Sequence, residues 1–284
     1  MTGARRDGQG WPRRQTTLSG TAAVRGIGIH TGEECEVQIA PTGPDTGIVF
    51  ERSGRQIPAH TDNVTSTARC TTLGREGAAV ATVEHLLSAM FGLCIDNALV
   101  SVTGPELPAL DGSAMPWVEA LAGVGTVELG RDAVVIRLAE PVAVRRGDSW
   151  LVAAPADALT VVCVTDFEHP LLGLESVVYA HRAGAFPAEV APARTFGFAA
   201  EVEALLASGL ARGGSLDNAL VIYDDRFSAD LRLPTECARH KVLDLLGDIS
   251  LAGGRLAAAI TAVKPGHQAN VALAARIAAA GSRD

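Results

Sequence analysis

Apolar residues recur along this chain with two periods. Over 236–251, Val242, Leu243, Leu245, Leu246, Ile249 and Leu251 repeat at helical spacing, which predicts a helix. A second helix is expected from Thr82, a capping residue, with Val83, Leu86, Leu87, Met90 and Phe91 as its apolar stripe and Gly92 as its stop. Further helices are predicted from about Ser113 to Leu121, from about Ala199 onward within 191–208, and over the Ala-rich stretch 270–280. Shorter apolar runs suit strands: 16–24, 36–40, 47–50 and 97–102 in the first half, with a turn at 74–77 leading into 78–81. In the second half they are 134–138, 142–145, 149–154, 159–166, 177–179, 219–223 and 256–263. Residues 53–72 read as polar and broken.

Each half thus runs strands first and then a helix, with a final strand and helix closing the second. That order predicts an α+β fold of two similar layered domains rather than an alternating parallel sheet. The glycine-rich stretch 123–131 is the expected boundary. It divides the chain into a disordered or loosely attached tail at 1–14, a first domain at 15–127 and a second at 131–280. The shared layout suggests an old duplication, although no residue-level repeat accompanies it.

Composition narrows the class. The chain has 284 residues, 48% hydrophobic and 20% charged, the balance of a globular protein. A net charge of −8 removes any general footprint for nucleic acid, so an anionic ligand needs a local cluster of cations. The five cysteines include no C-x-x-C pair and suit a reducing compartment. Residues 1–14 hold no apolar run of the signal-peptide kind, and no stretch reaches the ~18 uncharged apolar residues of a membrane span. A cytoplasmic protein with no transmembrane segment is therefore expected.

Three histidines stand in suggestive settings. His240 and Asp244, four residues apart on the predicted helix, share one face about 6 Å apart along the axis. They can close on one metal ion, although such a pair is more often a surface hydrogen bond or a cap. Asp248 continues their stripe one turn further on. Glu84 and His85 open a helix and diverge by about 100°, so they flank a point beyond its end instead of chelating from one face. The plain alternative has Glu84 serving the helix dipole and His85 as a partly buried polar residue. His267 follows Pro265-Gly266 in a sharp turn that would hold an acid–base group in place, or it is an idle loop histidine. The glycines of 26–32 lack dinucleotide-binding spacing and read as a turn between strands.

Combined, these pieces make a hydrolytic zinc site. His85, His240 and Asp244 supply three ligands and leave one position open. Glu84 can take a proton from a water that the metal acidifies, and His267 can give one to a leaving amine. Asp248 can hold His267 cationic, and Thr195 can help polarise an oxyanion.

The motifs 26–32 (GIGIHTG), 82–87 (TVEHLL), 92–98 (GLCIDNA), 111–113 (DGS), 166–170 (DFEHP), 193–198 (ARTFGF), 213–216 (GGSL), 239–248 (RHKVLDLLGD) and 265–267 (PGH) occur in this order. Together, over about 15–277, the chain resembles the zinc-dependent UDP-3-O-acyl-N-acetylglucosamine deacetylases of lipid A biosynthesis. The resemblance implies two similar α+β domains, of the kind also seen in the second domain of a ribosomal small-subunit protein, with the active site at their interface. It implies His85, His240 and Asp244 as zinc ligands, with iron(II) a cellular alternative that suits the same donors. It implies Glu84 as general base, His267 as general acid, Asp248 as its electrostatic partner and Thr195 as oxyanion stabiliser. Lys241, Phe167, Asp166, Phe196, Phe198 and Leu216 are implied as substrate contacts, with Asp166 and Phe167 meeting the uridine.

An insert at about 188–224 is implied as the acyl-chain passage, with Phe198, Val202, Leu216 and Val221 as lining or as ordinary core. The implied reaction, in a monomer, is hydrolysis of the N-acetyl group to acetate and a free amine, the committed step of that pathway. There are departures. The tail is long, and Arg69, Cys70 and Thr71 align loosely and receive no roles. Ser149 stands where a basic residue is expected, leaving Arg145 or Arg146 to meet phosphate. No fused dehydratase domain is expected after Asp284. Two rival classes are weaker. A zinc hydrolase of another amide leaves 166–170 and 193–198 unexplained. A non-catalytic nucleotide-sugar binder predicts a missing ligand or base, and none is missing.

Overall fold

Helices form along the apolar stripes, and local chemistry sets their ends. The computed structural model describes residues 11–209 and 211–283, apart from the side chains of residues 203, 205 and 206. The helices among these residues are α1 (Glu84–Gly92), α2 (Met115–Val124), α3 (Ala185–Glu189), α4 (Ala199–Ala207), α5 (Glu236–Ser250) and α6 (His267–Ala280). α1 begins later than expected. Thr82 adopts left-handed backbone with φ 59°, and its hydroxyl donates to Glu106 instead of capping. α2 starts at Met115, whose amide donates to the Ser113 hydroxyl. α6 begins at His267 itself, so that histidine is helical and not part of a turn before the helix.

Two sheets carry these helices. In the first, the hairpins Ala22–Ile27/Glu34–Pro41 and Ile48–Arg52/Arg55–Pro58 flank Ala98–Val102. That central strand runs antiparallel to Glu34–Pro41 and parallel to Ile48–Arg52. The second sheet has the same order. The hairpins Val142–Arg146/Ser149–Pro155 and Thr160–Phe167/Gly173–Ala180 flank Arg255–Val263, which is antiparallel to the first and parallel to the second. In both sets of five strands, the one latest in sequence enters the middle. The expected α+β fold is therefore present, as two layered units of one topology.

Strand alternation follows side-chain character. Glu34–Pro41 buries Cys35, Val37 and Ile39 and exposes Glu34, Glu36 and Gln38. α2 packs on Ala22–Ile27, α5 and α6 pack on the second sheet, and α1 lies between α2 and α5. One apolar core joins the two units, from Val37, Ile39 and Phe50 through Leu86 and Met90 to Leu243, Leu246 and Ile260. Each such side chain contributes about 1.5–3 kcal/mol by leaving water.

Several segments differ from expectation. The strand expected at 16–24 is two, Arg14–Leu18 and Ala22–Ile27, with Gly20 in the break. The polar stretch 53–72 contains Arg55–Pro58 and Val64–Ser66, and the latter joins Thr72–Arg75 and Ala78–Val80 in a small sheet. Most of the boundary 123–131 is a strand, Thr126–Asp132, antiparallel to Arg14–Leu18. It is exposed nearly throughout, so backbone pairing defines it and no apolar pattern announces it.

The tail is held from Trp11 onward. That ring is fully buried, stacks on His181 at 3.7 Å between centroids, and donates to the Leu256 carbonyl at 3.1 Å. The rest of the expected tail, 1–10, lies outside the described residues. Among the described residues no helix is long and apolar enough to cross a membrane.

Candidate metal centre and active site

α1 and α5 cross at the centre of the molecule, and their facing sides carry the ionisable residues. His85 comes from the first turn of α1, and His240 and Asp244 from successive turns of α5. All three are buried, and their ligand atoms lie within 4.8 Å of one another. Asp244 Oδ1 is 3.4 Å from His240 Nε2 and 3.7 Å from His85 Nε2. His240 Nδ1 donates to the Ala193 carbonyl at 3.0 Å, which fixes the tautomer and leaves Nε2 free to ligate. Burial pushes the His85 imidazole down to about 3 and lowers His240 as well, so both stay neutral, the ligating form. Burial alone would raise the Asp244 carboxyl, but the charges of Lys241 and His267 hold it far below the usual range. Two neutral imidazoles and one carboxylate converging on a point fit a divalent metal ion.

Glu84 and His267 sit beside this triad. Glu84 Oε1 lies 3.9 Å from His267 Nε2. Burial raises the Glu84 carboxyl to about 8, against the opposing His267 charge, which brings it into the working range of a general base. Burial would lower His267, but the charge and hydrogen bond of Asp248 outweigh it and lift the imidazole to about 10. That bond joins His267 Nδ1 to Asp248 Oδ2 at 2.9 Å, and Asn270 Nδ2 donates to the same oxygen at 2.9 Å.

The 193–198 motif is clamped against the start of α5. The buried Arg194 donates from Nε to Glu236 Oε1 at 2.8 Å and from Nη2 to Oε2 at 3.1 Å. This holds the Ala193 carbonyl at His240 and turns Thr195 into the cavity. The Thr195 amide donates to the Gly112 carbonyl at 2.7 Å. Gly112 has φ 81°, and a Cβ there would stand 2.1 Å from the Asn218 carbonyl oxygen, so no other residue fits the 111–113 turn.

A cavity of about 710 Å³ opens over the triad. Thr195, Phe196, Leu216 and Lys241 line it together with Glu84 and His267, as do the apolar Val202 and Val221. Lys241 Nζ pairs with Asp244 Oδ2 at 3.0 Å and lies 5.5 Å above the Phe196 ring. Three proposed contacts do not line it. Phe167 and Phe198 pack edge-on against Phe196 and tilted against each other, over Leu220 and Ile222. Asp166 pairs with Lys264 at 3.0 Å. Asp248 is fully buried behind His267 and bonded to its Nδ1. Arg145 and Arg146 sit exposed on their hairpin, away from the cavity wall.

The cavity also shows residues that periodicity passed over. His30 and Arg69 line it, and Thr71 touches both Glu84 and Asp248. Glu106, fully buried, accepts from the amides of His30 and Thr31 and from Thr82, tying the 26–32 loop to the turn before α1.

The family model described as UDP-3-O-acyl N-acetylglycosamine deacetylase matches residues 15–279. A curated protein of Anaeromyxobacter dehalogenans (strain 2CP-C), named UDP-3-O-acyl-N-acetylglucosamine deacetylase, is 43% identical over 273 residues, 93% of this chain and 87% of its own. Proteins of the same name from Myxococcus xanthus (strain DK1622) and Geotalea uraniireducens (strain Rf4) are 42% and 40% identical, over 93% and 90% of this chain and 86% and 85% of theirs. A match of this extent shows that the protein belongs to the UDP-3-O-acyl N-acetylglycosamine deacetylase family.

Proposed function

We propose that this protein is a metal-dependent amidase that removes the N-acetyl group of UDP-3-O-acyl-N-acetylglucosamine, in lipid A biosynthesis. The observation that carries the reading is the buried convergence of His85, His240 and Asp244 beside Glu84 and His267, at the floor of one cavity. His85, His240 and Asp244 would hold the ion, zinc or iron(II), both of which suit these donors. Bound there, the ion would act as a Lewis acid on the amide carbonyl and on water.

The remaining chemistry belongs to the chain. Glu84 takes a proton from the attacking water, whose oxygen adds to the acetyl carbon. The Thr195 hydroxyl faces the oxyanion that develops on the former carbonyl. His267, kept cationic by Asp248, donates a proton to the nitrogen as the C–N bond breaks. Acetate and the free amine leave. Lys241 and Phe196 flank the substrate, the one offering charge and the other an apolar face. Leu216, Val202 and Val221 line the route of the acyl chain. Phe167 and Phe198 support this wall from beside the cavity, through Phe196.

The test joins metal analysis of the purified protein to acetate release from the acylated nucleotide sugar and its unacylated counterpart. We expect close to one divalent ion per chain and release from the acylated substrate only. Equal rates on both substrates, or metal-free active protein, would overturn the reading.

A further inference from the structure

We infer that Thr71 is a positioning residue that ties Glu84 to the Asp248–His267 pair and sets the gap between base and acid. This rests on the deacetylase reading above. Thr71 is fully buried and uses every polar group it has on the machinery. Its amide donates to Glu84 Oε2 at 3.0 Å. Its hydroxyl donates to Asp248 Oδ1 at 2.5 Å and lies 3.4 Å from His267 Nδ1. Its carbonyl accepts from the amide of Val83, the residue that caps α1 just before Glu84.

The consequences follow from counting donors. With Oε2 held by Thr71, Glu84 turns Oε1 toward His267 Nε2, 3.9 Å away. Asp248 receives Thr71 on one oxygen and His267 with Asn270 on the other, so neither oxygen is left bare inside the protein. The Asp248 carboxylate therefore has one orientation, and the imidazole bonded to it has one too. Thr71 can serve as a fixed point because its own segment is stiff. It directly precedes Thr72–Arg75, the middle strand of the small sheet with Val64–Ser66 and Ala78–Val80. A residue that merely filled space would need none of these four contacts.

Thr71→Val keeps the shape and the backbone amide and removes only the hydroxyl. We expect kcat to fall by about tenfold to a hundredfold, the scale of one hydrogen bond to a buried charge, with KM within about twofold. Metal content should be unchanged, and Thr71→Ser should restore most of kcat. If the valine variant does not fold, Thr71→Ala removes the same hydroxyl without crowding. A second readout does not depend on substrate. The imidazole N–H proton of His267, assigned by its absence in His267→Asn, should shift in the NMR spectrum of Thr71→Val but not of Thr71→Ser. Wild-type kcat in the hydroxyl-less variants, or equal losses in valine and serine, would overturn the inference. Failure of the wild type to release acetate would instead sink the deacetylase reading, leaving the NMR comparison to decide on Thr71.

Discussion

Glu84 is 3% exposed, and one of its oxygens is already engaged by the Thr71 amide. The other oxygen lies 3.9 Å from His267 Nε2, and Glu84 is outside the His85–His240–Asp244 group, so the carboxylate can be removed without removing a ligand. Glu84→Ala should therefore lower kcat by on the order of a hundredfold or more while the metal content stays near wild type. Normal turnover in that variant would show that the base is another group. Arg69 poses a different question at the same scale. It lines the cavity, is exposed, adopts left-handed backbone with φ 67°, and has no ion pair or hydrogen bond among the described residues. The two arginines that the sequence offered for phosphate, Arg145 and Arg146, do not reach the cavity wall. In a chain of net charge −8, an anionic substrate leans on such a local cation. Arg69→Ala should raise KM roughly three- to tenfold, a partly solvated charge contact, with kcat little changed. Steady-state kinetics that show no change in KM would remove Arg69 from the binding surface.

At the scale of elements, the crossing of α1 and α5 decides where the chemistry sits, and a glycine permits it. A Cβ on Gly247 would stand 2.1 Å from the Glu84 carbonyl oxygen and 3.0 Å from the Glu84 Cα, against backbone that cannot rotate away. Gly247→Ala should thus cost about 1–3 kcal/mol of stability and also lower kcat, because the helix it displaces carries Glu84. An alanine variant with wild-type melting temperature and turnover would show that the helices have slack. The start of α5 is fixed by charge. Burial would raise the Glu236 carboxyl, but the hydrogen bonds from Arg194 and Arg232 outweigh it and hold it below its ordinary value. A group depressed in the folded state stabilises above its unfolded pKa, about 4.3 for glutamate, and that contribution fades as pH falls through the folded value. The stability gap between wild type and Glu236→Gln, measured by urea unfolding, should accordingly be full at pH 7 and narrow below about pH 4. A gap independent of pH would mean the carboxylate is not the source.

These elements also show what a sequence discloses. His240 and Asp244 were legible because their relation is local, one helical turn. The fold class was legible because apolar runs mark buried strands. Thr71 and Asn270 were not, since they reach Asp248 across 177 and 22 residues of chain by side-chain contact alone. The Ala193 carbonyl carries no side-chain signal at all.

Over the whole molecule, the triad joins what the chain order separates. His85 belongs to the unit built on the first sheet, and His240 and Asp244 to the unit built on the second. The resemblance to known motifs could name these residues, but only packing through the shared core brings α1 onto α5. An ion held by all three would therefore cross-link the two units and bind the folded state alone. Binding of that kind stabilises by about 2.7 kcal/mol when the free ion stands at ~100 times its dissociation constant. For a chain of this length each kcal/mol moves the melting temperature by about 2–4 °C, so metal should be worth roughly 5–10 °C. We expect a chelator to lower the melting temperature of the purified protein by this amount, and added zinc to restore it. His240→Ala should melt near the chelated wild type and respond to neither reagent. If the chelated protein loses its ion yet melts as before, the ion does not span α1 and α5, and His85 is not one of its ligands.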